Sequence, residues 1–122
     1  MEISLNNPLP ARGDIWLVNF DPTIGAEIRK TRPAVVVSSN AIGKLPVKLV
    51  APITEWKDAF RDSVWIVRIN PNARNGLKKP SAADTLQIRG IDFRRFVTKL
   101  GRLPPEIMSE IAAAIAIVVE YE

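Results

Sequence analysis

The sequence predicts a mainly β fold closed by one C-terminal helix, in the form of a small SH3-like barrel or strongly bent antiparallel sheet. Three observations lead there. Short runs rich in Val, Ile, Trp and Phe recur along the chain, each bounded by Pro, Gly, Asn or Asp. Helical spacing of apolar residues occurs once, after Pro104-Pro105. The 122 residues, 47% of them apolar, suffice for one core but not comfortably for two.

Residues 1–11 lack periodicity and carry Pro8 and Pro10, which predicts a flexible N-terminal arm ahead of a single domain over 12–122. The first strand is expected from Gly13 through Phe20, with Trp16 and Phe20 in the core. Asp21-Pro22-Thr23 breaks it, and Gly25 opens a loop that runs to about Arg32. Pro33 begins a second strand over 34–38, at a position where a proline removes no ladder bond. A turn over 40–44 leads to a third strand over 47–53, and 63–69, with Trp65 in the core, forms a fourth. After the turn-rich Asn70-Pro71-Asn72-Ala73-Arg74-Asn75-Gly76, two short strands follow near 83–89 and 97–102, separated by Gly90 and a polar turn.

The helix over 104–120 starts with proline in its first turn and Glu106 at the positive end of its dipole. Ile107, Met108, Ile111, Ile115, Val118 and Val119 recur at helical spacing, and 111–119 holds no polar residue. That segment needs cover over much of its circumference, from the sheet or from another chain. At nine residues it is too short to span a membrane. The first residues show no basic region followed by an apolar stretch, so no secretory signal is read, and a cytoplasmic protein is expected.

Seventeen Lys and Arg outnumber thirteen Asp and Glu, and the excess is not spread evenly. Residues 61–102 carry ten bases against three acids, whereas 103–122 carry four acids and no base. A basic middle suits a polyanionic partner such as nucleic acid, or else forms a solvated basic face. The chain has no His and no Cys. This excludes Ser-His-Asp and Cys-His nucleophile systems and His/Cys zinc sites. The acids form no Asp-x-Asp pair or calcium loop, and no phosphate-cradling glycine motif occurs, so neither metal nor cofactor is expected.

The densest polar constellation is Gly25-Ala26-Glu27-Ile28-Arg29-Lys30-Thr31-Arg32-Pro33. A guanidinium there offers a planar fork for two phosphate oxygens. On residue chemistry alone, an exposed Glu27–Arg ion pair explains the segment as well, at roughly 0 to 1 kcal/mol.

The ordered block from Arg12-Gly13-Asp14-Ile15-Trp16 through Asp21-Pro22-Thr23-Ile24-Gly25-Ala26-Glu27 resembles the opening signature of the MazF/PemK toxins, and Arg29 to Val37 continues it. Ala51-Pro52-Ile53-Thr54 and Leu86-Gln87-Ile88-Arg89-Gly90-Ile91-Asp92 match two further motifs, so the resemblance runs from about residue 11 to the final helix. It implies a homodimer of SH3-like barrels with an RNA groove across the dimer, and an acidic, partly disordered antitoxin that blocks the groove. It also implies metal-independent cleavage of single-stranded RNA, in which the ribose 2′-OH attacks the adjacent phosphate to leave 2′,3′-cyclic phosphate and 5′-hydroxyl ends.

By the same resemblance Arg32 takes the phosphate-stabilising role, with proton donation as a further part, and Thr54 acts as hydroxyl donor beside the scissile phosphate. Glu27 is the candidate base or orienting group. Arg29, Lys30, Thr31, Gln87 and Arg89 are candidate RNA contacts, as is Trp56, whose ring either stacks on a base or packs internally. The chain departs from some relatives in placing Leu86 where they carry an acid, and in lacking histidine. Glu27 therefore inherits the base role, with Asp84 as second candidate. Two alternatives of the same fold are a toxin that poisons DNA gyrase by contact alone and a non-catalytic RNA-binding module.

Overall fold

Seven strands form one strongly bent antiparallel sheet in the computed structural model, which describes residues 9–43 and 45–121. They are β1 (Asp14–Asn19), β2 (Thr31–Val36), β3 (Val47–Glu55), β4 (Ile66–Ile69), β5 (Ser81–Asp84), β6 (Arg89–Asp92) and β7 (Phe96–Arg102), followed by helix α1 (Pro105–Val118). Most of the arm expected over 1–11, and Lys44 of the expected turn, lie outside the described residues. The strand order is β4-β5-β3-β2-β1-β7, with β6 also paired to β3.

Strand alternation divides the apolar residues between two clusters. Ile15, Val35, Val37, Ala51 and Ile53 face the helix, where Met108, Ile111 and Ala114 are buried against them with Leu103. Val18, Phe20, Ala34, Val36 and Val50 face the other way and pack with Ile91, Trp16 and Phe96. Trp16 and Phe96 meet edge to face with ring centroids 5.7 Å apart, an arrangement that suits the aromatic quadrupole.

Four local expectations are corrected. β2 starts at Thr31, so Arg32 belongs to a strand rather than to the loop; pairing of Val18 with Arg32 and of Asn19 with Thr31 extends the ladder toward β1. The strand expected near 83–89 is interrupted. β5 and β6 pair with successive stretches of β3, and a 3-10 turn at Thr85–Gln87 bulges out between them. Gly90 lies inside β6, paired with Leu49, instead of in a turn. β4 begins only at Ile66, because Ser63–Trp65 turn into it, and this leaves Trp65 36% exposed rather than in the core.

The helix packs against β4 and the Thr85–Gln87 turn, while Ile117 and, just past its end, Val119 remain exposed. Among the described residues no helix is long and apolar enough to cross a membrane.

Candidate active site

The site begins where the β2–β3 ladder stops. The β2–β3 ladder runs from Val36↔Val50 to Ala34↔Pro52 and ends there. Pro33, which would face β3 at the next rung, has no N–H to donate to Ile53, and the ladder is not continued. Continued by two residues, the register would have set Arg32 against Thr54. Instead β2 stays with β1, β3 stays with β5 through Ile53↔Ala83 and Glu55↔Ser81, and the two strand ends part.

A cleft of about 360 Å³ opens at this split, bordered by Arg32 and Pro33 of β2 and by Ile53, Thr54 and Glu55 of β3. Its apolar floor comes from Leu17, Leu77 and Leu100, and its far wall is Lys78, Lys79 and Ser81. The buried Asn75 builds the loop that brings those lysines in. Its Nδ2 donates to the Asn70 carbonyl at 2.8 Å, and its Oδ1 accepts the Leu77 N–H at 3.0 Å. Gly76 enters the cleft wall with φ +69, against the Leu100 carbonyl.

The structure thus joins Arg32 and Thr54 across 22 positions of sequence. Arg32 is exposed, and its Nε donates to the Arg29 carbonyl in a long 3.4 Å bond, which leaves most of its donors free. Thr54 is half-buried at the ladder position opposite Ala82.

Glu27 is not in that cleft. It lines a second hollow with Phe20, Pro52, Gln87 and Arg89. Its Oε1 accepts the Ile24 N–H at 2.6 Å, so the carboxylate closes its own turn; among the described residues it makes no ion pair. The exposed Glu27–Arg pair allowed by the sequence does not form.

Asp84 lines neither hollow. It caps the Thr85–Gln87 turn by accepting the Leu86 N–H at 3.1 Å, and burial pushes its pKa above the ordinary 3.8 against the opposing pull of the Leu86 and Gln87 amides. Leu86 is 60% exposed on the rim of the second hollow.

Gln87 and Arg89 hold backbone. The Gln87 amide clamps the β1–β2 loop, and Arg89 donates to the Phe20 carbonyl at 2.8 Å. Arg29, Lys30 and Thr31 are exposed on the approach to β2, with Lys30 at φ 67 and its N–H donating to Asp21 Oδ1 at 2.9 Å. Trp56 is half-buried, with the Arg68 guanidinium 4.8 Å from its ring centroid and Phe60 edge-on at 5.9 Å, so much of its ring is occupied within the protein.

Reading the sequence alone missed Glu55, Lys78, Lys79 and Ser81. The Lys78-Lys79-Pro80 triplet was a visible signal, but its position across from Arg32 was not. Among the described residues no group of three or more Asp and Glu is placed to hold a metal ion.

Fold and site together define a small bent-sheet domain with a cationic cleft at a strand split, suited to an anionic ligand. Comparison with known proteins gives the family. Residues 11–119 match the model for PemK-like, MazF-like toxins of type II toxin–antitoxin systems, and the chain belongs to that family. It is 35% identical over 104 residues to the endoribonuclease PemK of Escherichia coli, covering 82% of this chain and 74% of that protein. It is 30% identical over 111 residues to the endoribonuclease MazF9 of Mycobacterium tuberculosis, with 85% and 91% covered. The crystal structure of MazF from Deinococcus radiodurans shares the fold with a TM-score of 0.76 at 21% identity, covering 93% of this chain and 99% of that one.

Proposed function

We propose that this protein is the toxin of a toxin–antitoxin pair, a metal-independent, sequence-specific endoribonuclease that cuts single-stranded RNA in the cytoplasm. In this reading the ribose 2′-oxygen attacks the adjacent phosphorus and the 5′-oxygen leaves, giving a 2′,3′-cyclic phosphate and a 5′-hydroxyl. The observation that carries it is the meeting of Arg32 and Thr54 on one cationic cleft in a chain of this family.

Arg32 presents its unpaired N–H groups to the non-bridging phosphate oxygens, where charge grows as the phosphorane forms. Thr54 adds a hydroxyl donor at the same centre. Lys78 and Lys79 supply sequence-independent attraction for the backbone. Glu27, Gln87 and Arg89 shape the β1–β2 loop that carries Arg29 and Lys30 toward the RNA beside Thr31 at the start of β2, and the face of Trp56 away from Arg68 offers a base a stacking surface. The active assembly is a homodimer, and an acidic, partly disordered antitoxin silences it by covering the cationic surface.

The test is incubation of the purified protein, in EDTA, with a long mixed-sequence RNA, alongside Arg32→Ala and Thr54→Ala. Discrete cuts with 5′-hydroxyl ends, lost in both variants, are expected. Intact RNA from folded wild-type protein overturns this reading. RNA binding without cuts then points to a binding module, and gyrase inhibition without RNA binding to a contact toxin.

A further inference from the structure

Residues 61–102 hold ten bases against three acids, and of those bases the cleft takes only Lys78 and Lys79. Where several of the others stand follows from how the loop after β4 is laid on β7. Asn72 Oδ1 accepts the Arg74 and Asn75 N–H groups at 2.8 and 2.9 Å, which closes the loop into a turn. The Arg74 carbonyl accepts the Arg102 N–H at 2.9 Å, so the turn is pinned to the end of β7. Gly101 makes that approach possible, because a Cβ there would overlap the Arg74 carbonyl.

Two segments therefore leave the cleft side by side. Gly76 and Leu100 border it, and two residues further along each segment stand Arg74 and Arg102, at most about 7 Å away along the chain. Lys99 joins them, since its Nζ and Arg102 Nη1 lie 3.5 and 2.6 Å from the same oxygen of Asp14. Asp14 is 2% exposed, whereas the Lys99 and Arg102 side chains are 40% and 56% exposed, so the carboxylate stays inside and the cations reach water. Arg74 is exposed, and among the described residues its side chain makes no ion pair. Lys79 is matched by Glu55, which leaves a strip of Lys78, Arg74, Arg102 and Lys99. Neighbouring exposed cations repel one another, and a row of phosphates relieves that repulsion.

We propose that Arg74, Lys99 and Arg102 form a track for the RNA backbone, which continues from Lys78 and holds phosphates flanking the cleaved step; the proposal rests on the endoribonuclease reading above. Such contacts recognise charge and not sequence. The track therefore adds affinity for long RNA whatever its flanks, and leaves the choice of cleavage site to the cleft and its loops.

The experiment compares two RNAs with a 2′-deoxy sugar at a mapped wild-type cleavage position. One just spans the site; the other is extended on both sides, with uridines in one version and adenosines in a second. Binding is measured over a range of salt for wild type, Arg74→Ala, Arg74→Lys and Arg94→Ala. Arg94 lies before the opposite end of β7 and is paired with Asp92 at 3.0 Å, so its loss removes the same charge away from the strip. Wild type should bind both extended RNAs about tenfold or more tighter than the short one. Arg74→Ala should cut that advantage about fivefold and lower the slope of log affinity against log salt on extended RNA by about 0.7. Arg74→Lys should keep most of the advantage, and Arg94→Ala all of it. Equal wild-type affinity for short and extended RNA, or an equal effect of Arg74→Ala and Arg94→Ala, overturns the track while leaving the ribonuclease reading intact. Wild-type protein that cuts no RNA overturns both.

Discussion

Gln87 Oε1 accepts the Ile28 backbone N–H at 2.6 Å, and the same side chain donates through Nε2 to the Ala26 carbonyl at 3.3 Å. One amide thus clips the β1–β2 loop to the turn between β5 and β6. The donor at Ile28 and the acceptor at Ala26 together fix which end of the amide points where. Replacing Gln87 by Leu should cost about 1 to 2 kcal/mol in urea unfolding and speed hydrogen exchange at Ile28, since a part-buried donor loses its partner. Gln87→Glu keeps the acceptor and loses the donor, so it should fall between the two.

Asp14 is almost wholly buried and is met by Arg102 Nη1 at 2.6 Å and Lys99 Nζ at 3.5 Å. Those two contacts tie the start of β1 to the end of β7, and the carboxylate also accepts the Ala11 N–H at 2.9 Å. The two partners are unequal, because the cations reach solvent and the carboxylate does not. Arg102→Met should therefore destabilise more than Asp14→Asn, by about 2 against 1 kcal/mol, because it leaves a buried charge short of its closest partner. Equal losses in denaturant titrations would refute that asymmetry.

Asp84 makes stability depend on pH in a direction opposite to a paired carboxylate. Burial raises its folded pKa above 3.8. As pH climbs through the interval above 3.8, the unfolded chain releases the proton first, so stability falls across that interval and stays lowered above it. Asn retains an oxygen for the Leu86 N–H without the buried charge. Asp84→Asn should melt higher than wild type at about pH 7, and the difference should close toward about pH 3. A gap that widens on acidification would contradict this account.

Gly76 has φ +69, and a Cβ there would overlap the Leu100 carbonyl. Backbone strain and collision act together, and neither can be relieved by a flexible side chain. Gly76→Ala should cost about 3 kcal/mol or more by chemical denaturation. It should also impair RNA binding, because the glycine sits in the cleft wall beside Lys78.

Lys78 borders the cleft with no ion pair among the described residues. If it meets a phosphate, Lys78→Ala should weaken RNA binding for every sequence alike and lower the slope of log affinity against log salt by about 0.7. An unchanged slope would remove Lys78 from the interface.

The local code carried the elements well. Alternating Val, Ile and aromatic residues place β1, β3 and β7 within a few residues of their observed ends, and the Pro104-Pro105-Glu106 start marks α1. It failed where tertiary pairing overrides pattern. Thr31 and Arg32 read as loop until β1 offers Asn19 and Val18 as partners. The split between β5 and β6 depends on both pairing with one long strand, which no window of sequence contains.

By itself, then, the sequence determined the mainly β fold with its terminal helix, the basic middle, the absence of His and Cys, and the motifs carrying Arg32 and Thr54. Those properties belong to single residues or to short periodic runs, so a linear reading recovers them. Only the tertiary structure decided that the β2–β3 ladder stops after Ala34↔Pro52, and that Arg32 and Thr54 border one cleft. It alone set Glu55 and Lys79 in that cleft and Glu27 outside it. Which side chains meet is set by register and by the bend of the sheet, and both arise from packing between residues far apart in the chain.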